Sequence, residues 1–161
     1  MQDIMIRTIE PTDNKALAEI VRASLAEFGA NHQGTVYYDE TTDHLYELFQ
    51  KQNSIYFVAL INNEVAGGGG IFPSDGLPED TCELVKMYLK KSSRGLGLGK
   101  LLIEKCIAFA KATGYKKIYI ESMPELKKAL GIYEKFGFKY LSGPMGNTGH
   151  FGCDIWMLLE L

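Results

Sequence analysis

Hydrophobic and polar positions along this chain follow two rhythms, one of period two and one near 3.6. Residues 4–9, Ile-Met-Ile-Arg-Thr-Ile, read as a strand stopped by Pro11. Leu17, Ile20, Val21, Leu25 and Phe28 recur at helical spacing, with Gly29 as the stop. Residues 30–42 have no clear period and read as a loop; Leu45, Leu48 and Phe49 mark a short helix over 43–52. Residues 54–61 are almost continuously apolar, as in a strand buried on both faces. Asn62-Asn63 is a turn that tolerates positive φ, and 64–72 returns as a strand. That strand contains Gly67 to Gly70, and glycines inside a strand mark a bulge or a group pressing close. Residues 81–90 form another strand. Leu98, Leu101, Leu102, Cys106, Phe109 and Ala110 form a helical stripe closed by Gly114. A strand follows over 115–121. Ser122 to Glu125 then reads as a capping box for a helix carrying Leu126, Ala129, Leu130 and Tyr133, which Gly137 ends. Residues 138–141 and 150–159 read as short final strands around a glycine-rich loop at 143–149. The sum is an α/β domain, a mixed sheet with helices on both faces.

Composition narrows the class. The 161 residues suit a single domain, 1–161, able to bury a core without disulfides or metal. A net charge of -3 gives no reason to expect nucleic acid or an anionic membrane as partner. Three cysteines with no close pairing fit a reducing, cytoplasmic compartment. The N-terminus does not read as a secretory leader, and no apolar run approaches a membrane span.

The chemistry concentrates around 83–105. A strand passes through Lys90, Lys91 and Arg94 into a loop with glycine at 95, 97 and 99, then into the apolar stripe of a helix. Strand, glycine loop and helix N-terminus together suit an anionic ligand, because unpaired N–H groups and the helix dipole both favour phosphate oxygens. The Walker pattern fails at Arg94 and Leu101, and the dinucleotide fingerprint fails at Lys100 and Leu102. What fits is Arg/Gln-x-x-Gly-x-Gly/Ala, met by Arg94, Gly97 and Gly99.

Together with Ala129-Leu-Gly-Ile-Tyr133-Glu-Lys-Phe-Gly-Phe138 further on, this loop resembles the acetyl-CoA loop and tyrosine segment of the GNAT superfamily of N-acetyltransferases. The resemblance covers essentially the whole chain. It implies a mostly antiparallel sheet of about seven strands, splayed at the strand carrying Glu83, and acetyl-CoA as co-substrate. It implies that Met87, Tyr88 and Leu89 hold the pantetheine arm beside a bulge, where a backbone N–H would polarise the thioester carbonyl. Gly95 and the backbone from Leu96 through Gly97, Leu98 and Gly99 to Lys100 would hold the pyrophosphate, with charge from Arg94 and Lys100. Glu83 lies where glutamate-using members place their base, and Tyr133 where they place the acid that protonates the leaving thiolate. Many members carry asparagine where this chain has Leu126, a departure in that turn.

His150 and Cys153 offer too few ligands for zinc, so no metal is expected. On a regular final strand they would point to opposite faces. The expected activity is direct acetyl transfer to a small amine acceptor, with Phe28, Tyr37, Tyr38 and His150 lining its pocket. Two alternatives stand beside it: acetylation of a protein or peptide amine, and a non-catalytic acyl-CoA sensor. Edge strands near the C-terminus leave room for a homodimer.

Overall fold

A computed structural model describes residues 2–161, and in them seven strands form one sheet flanked by four α-helices. The strands are β1 (Ile4–Thr8), β2 (Ile55–Ile61), β3 (Glu64–Phe72), β4 (Thr81–Leu89), β5 (Lys117–Ser122), β6 (Lys139–Tyr140) and β7 (Ile155–Glu160). The helices are α1 (Asn14–Glu27), α2 (Leu45–Leu48), α3 (Leu98–Thr113) and α4 (Lys127–Phe136). The sheet order is β1-β2-β3-β4-β5-β7-β6, and β4–β5 is the parallel pair in an otherwise antiparallel sheet.

Alternation along β2 explains why helices cover both faces. Tyr56, Val58 and Leu60 pack with Leu17 of α1 and with Leu45 and Phe49 in and after α2. Ala59 packs on the other face against Leu98 and Leu102 of α3, and that face continues through Leu84, Ile103, Cys106, Leu130 and Tyr133. Asn62 and Asn63 turn the hairpin at φ 51° and 68°.

The glycine run in β3 makes space for a bulge in β4. A Cβ at Gly68 or Gly70 would stand 2.5 or 2.7 Å from the Tyr56 ring, and one at Gly69 would overlap Met87. Opposite them Gly70 pairs with Val85 but Gly68 with Tyr88, so Lys86 and Met87 both face Gly69. Lys86 takes the extra position at φ 53°, and the buried Tyr56 hydroxyl donates to its carbonyl at 2.7 Å. After the bulge Met87 regains the α3 face that Leu84 occupied. The other neighbour of β4 leaves early. β4 pairs with β5 only from Thr81 to Glu83, against Lys117 to Tyr119, and beyond Glu83 the two strands fork.

Four expectations need correction. Residues 30–42 hold two short 3-10 turns, Val36–Tyr38 and Glu40–Asp43, and the helix after them is one turn long. The capping box does not form: Ser122 ends β5, α4 begins at Lys127, and Glu125 instead lies 3.6 Å from His32. The last strand starts at Ile155, because the His150 carbonyl accepts the Cys153 N–H at 3.1 Å and curls 150–153 into a turn. His150 and Cys153 therefore do not take opposite faces of a strand.

Candidate active site

A cavity of about 960 Å³ runs along the fork between β4 and β5. One end opens on the glycine loop, the other is walled by Glu83, Lys86, Glu121, His150 and Cys153, and α4 lines the middle through Leu126, Ala129 and Tyr133.

The loop end presents backbone. Gly95 and Gly97 sit at φ 82° and 80°, left-handed conformations that glycine reaches without strain, and Gly97 is the N-cap of α3. Among the described residues, none of the N–H groups from Gly95 to Lys100 pairs with a backbone carbonyl. Six consecutive donors at a helix N-terminus form an anion cradle. A Cβ at Gly99 would meet only Leu89, at 3.8 Å, so the space over the loop is open. The Lys100 side chain is exposed and lies 3.9 Å from Glu104, within reach of that space.

The far end presents side chains. Glu83 is 3% exposed and accepts a hydrogen bond from Ser74 Oγ. Burial, opposed by the Ser74 bond and reinforced by Glu121, raises its pKa to about 7. Glu121 accepts from Tyr119 Oη at 2.8 Å and from Thr148 Oγ1, while the Met145 N–H donates to Tyr119 Oη at 3.0 Å. These bonds draw the 143–149 loop onto β5. His150 Nε2 lies 2.7 Å from Asp39 Oδ2, and Nδ1 lies 3.3 Å from Glu121 Oε1. The same Asp39 oxygen is 3.5 Å from Lys86 Nζ. Burial works to lower the pKa of His150, but the bonds to Asp39 and Glu121 and the nearby carboxylate charge carry it up to about 9. Burial lowers Lys86, against Asp39 and Glu83. Glu83, Glu121 and His150 bring one ligand atom each within 4.8 Å of one another. A cation would have to displace the hydrogen bonds that already occupy both Glu121 oxygens and His150 Nε2.

Tyr133 is 6% exposed, its ring 5.8 Å from that of Phe138, and burial pushes its phenol pKa up, keeping it protonated at any working pH.

Residues 17–138 match the Acetyltransferase (GNAT) family. Along 99% of its length the chain is 37% identical to the uncharacterised N-acetyltransferase YjgM of Escherichia coli K12, of which it covers 96%. The chain belongs to the GNAT family of acetyltransferases. A GNAT-family acetyltransferase from Staphylococcus aureus Mu50 superposes with a TM-score of 0.81 at 19% identity, covering 98% of this chain and 99% of that one. The structure of YncA from Salmonella typhimurium, solved with its cofactor acetyl-CoA, superposes with a TM-score of 0.76 at 20% identity, covering 98% and 94%. The splayed sheet is thus the GNAT fold.

Within this GNAT chain, Glu83, Met87, Tyr88, Leu89, Gly95, Gly97, Leu98, Gly99, Lys100 and Tyr133 all line the one cavity. Leu96 does not line it and is 40% exposed to solvent. Arg94 lines the cavity too, but its guanidinium is engaged elsewhere: Nη1 donates to both Glu27 oxygens at 2.8 and 3.0 Å, Nη2 to the Leu89 carbonyl at 3.1 Å, and the group lies over the Phe28 ring at 5.0 Å. It braces α1 against the loop rather than offering free charge. Of the four acceptor-pocket residues expected, His150 lies at the Glu83 end, whereas Phe28 lies beside Arg94 at the loop end. Tyr37 packs behind the cleft in the cluster around Met123 and Cys153, and Tyr38 is 58% exposed to solvent. Leu126 joins that same apolar cluster, so its turn offers hydrophobic contact.

Asp39, Lys86, Glu121, Ser74 and Tyr119 were not singled out from the sequence. Lys86 left a trace, a charge inside the apolar run Leu-Val-Lys-Met that switches the alternation of β4. Asp39 and Glu121 left none, since their partners are 111 and 29 residues away (His150 in both cases).

Proposed function

We propose that this GNAT acetyltransferase moves an acetyl group from acetyl-CoA to the primary amine of a small acceptor, by direct transfer in a ternary complex. The observation that carries the reading is the single cleft joining an unpaired row of N–H donors at the start of α3 to a buried carboxylate at the fork. Acetyl-CoA supplies the activated acyl group as a thioester. The Gly95–Lys100 amides, with Lys100, receive its pyrophosphate, and the β5-facing edge of Met87 to Leu89, which β5 does not pair beyond the fork and where Arg94 holds only the Leu89 carbonyl, receives the pantetheine arm.

Glu83 takes a proton from the acceptor ammonium. A carboxylate whose pKa is about 7 is half ionised at neutrality and strong enough to matter as a base there. The freed amine attacks the thioester carbonyl, a backbone N–H of the bulge stabilises the developing oxyanion, Tyr133 donates its phenolic proton to the departing thiolate, and the second proton leaving the nitrogen as the adduct collapses restores the phenol. Bond for bond, C–N forms and C–S breaks.

A small acceptor, rather than a peptide, is favoured by the walled Glu83 end, where Thr148 and His150 tie the 143–150 segment to β5 and to Asp39. The test is CoA-thiol release from acetyl-CoA against amino acids, polyamines, aminoglycosides and short peptides. Turnover with a small amine and none with peptides is expected. Turnover with peptides alone would overturn the acceptor assignment, and tight acetyl-CoA binding with no turnover would point to a sensor.

A further inference from the structure

The contacts around His150 bear on its charge directly: Nε2 is hydrogen-bonded to Asp39, and Nδ1 stands 3.3 Å from a Glu121 oxygen. Tyr119 Oη accepts the Met145 N–H, which leaves its own hydrogen for Glu121 Oε2. Thr148 Oγ1 accepts the His150 N–H at 3.3 Å, which leaves its own hydrogen for Glu121 Oε1. Glu121 therefore accepts at both oxygens and is a carboxylate. Asp39 directs one oxygen at both Lys86 Nζ and His150 Nε2, at 3.5 and 2.7 Å. A neutral imidazole has only one N–H, yet His150 faces a carboxylate at each nitrogen.

We propose that His150 is a standing imidazolium, a positioning residue that clasps the 143–150 segment over the acceptor end of the cleft and sets the pH at which Glu83 becomes a base. This rests on the reading of Glu83 as the base. The clasp joins three separate stretches: Asp39 from the 30–43 segment, Glu121 from β5, and the loop carrying His150 itself. The charged groups facing the ring are Asp39, Glu121, Glu83 and Lys86. The neighbouring Cys153 thiol, raised by burial to about 12, stays neutral.

Two consequences follow from the geometry. The imidazolium lies within 4.8 Å of the Glu83 carboxyl, so it favours the ionised base and offsets burial and Glu121. Deprotonation of His150 leaves one ring nitrogen lone pair against a carboxylate, so the clasp releases as pH rises through about 9.

The test pairs a pH profile with a spectrum. With an active acceptor, wild-type kcat/KM should rise through an acid limb near pH 7 and fall through an alkaline limb near 9. His150→Gln should move the acid limb up by about one unit, because the cation beside Glu83 is gone. It should also abolish the alkaline limb and raise acceptor KM about tenfold, with acetyl-CoA KM unchanged. Asp39→Asn should shift the alkaline limb down, because His150 loses its nearest carboxylate. In wild-type protein labelled with 15N-histidine, both ring nitrogens of His150 should carry protons at pH 8. A neutral tautomer at that pH would overturn the proposal whatever the variants do. If His150→Gln moves neither limb while Glu83→Gln abolishes turnover, the clasp is wrong and the base assignment survives. If Glu83→Gln keeps its activity, the base assignment and the tuning role fall together.

Discussion

The two ends of the cleft are built by opposite means. At the glycine loop the working groups are consecutive backbone N–H donors, from Gly95 to Lys100, held by local geometry at the N-terminus of α3 and left without backbone partners. At the Glu83 end they are side chains from β4, β5 and three loops, and each is bonded to another: Ser74 to Glu83, Thr148 and Tyr119 to Glu121, His150 to Asp39. The first end leaves its donors free; the second has its polar groups bonded to one another. Recognition of a common, phosphate-rich substrate can be written in six adjacent residues. Placing a buried carboxyl at a raised pKa takes a whole tertiary structure.

The largest expected effect lies at the preformed end. Glu83→Gln should lower kcat by about 10²–10⁴-fold, the range for removing a general base, with acetyl-CoA affinity unchanged by equilibrium titration. Lost affinity would place Glu83 at the wrong end of the comparison. At the open end, Gly97→Val should cut acetyl-CoA affinity at least about tenfold, because a β-branched residue at φ 80° must distort the donor row. Gly99→Ala separates strain from occupancy. Its Cβ meets nothing closer than 3.8 Å and its φ is ordinary, so the protein's melting temperature should hold while acetyl-CoA affinity falls. Unchanged affinity would mean that the ligand does not lie against the loop there.

Tyr133→Phe, in the middle of the cleft, should lower kcat about tenfold and leave both KM values near wild type, since only a hydroxyl is lost from a ring still packed on Phe138. A larger KM change for one substrate would assign the hydroxyl to binding.

The smallest effect is on stability and separates the two ends by pH. Glu83 is raised from an ordinary 4.5 to about 7, so its contribution to folding is complete below about 4.5 and is lost as pH rises through about 7. His150 is raised from an ordinary 6.5 to about 9, so its contribution is complete below 6.5 and is lost as pH rises through about 9. Urea midpoints should therefore decline in two steps between pH 5 and 10. Glu83→Gln should remove the first step and His150→Gln the second. Both steps surviving both variants would mean that other groups govern the pH response.

The sequence made the open end legible because its determinants are contiguous: Arg94, Gly97 and Gly99 in one loop, and a helix stripe after them. Arg94 shows the limit of that legibility. Its place in the motif was readable, but its bond to Glu27 joins positions 67 residues apart. The sheet was legible for the same local reason, down to Asn62-Asn63 and the glycines facing the bulge. At the other end Glu83 was found through its position on β4, while Asp39 and Glu121 stayed hidden. Nothing near either residue in the chain announces that it will meet His150. The expected capping box failed because β5 keeps Ser122, pairing it with Ile155, so α4 must start further on.

The measurement that bears most directly on the account is the pH dependence of CoA-thiol release for one active amine, wild type beside Glu83→Gln. With Glu83 as the base, the wild type shows an acid limb near pH 7, and the variant keeps a residual rate without such a limb. The same limb in Glu83→Gln, at a comparable rate, would contradict that role.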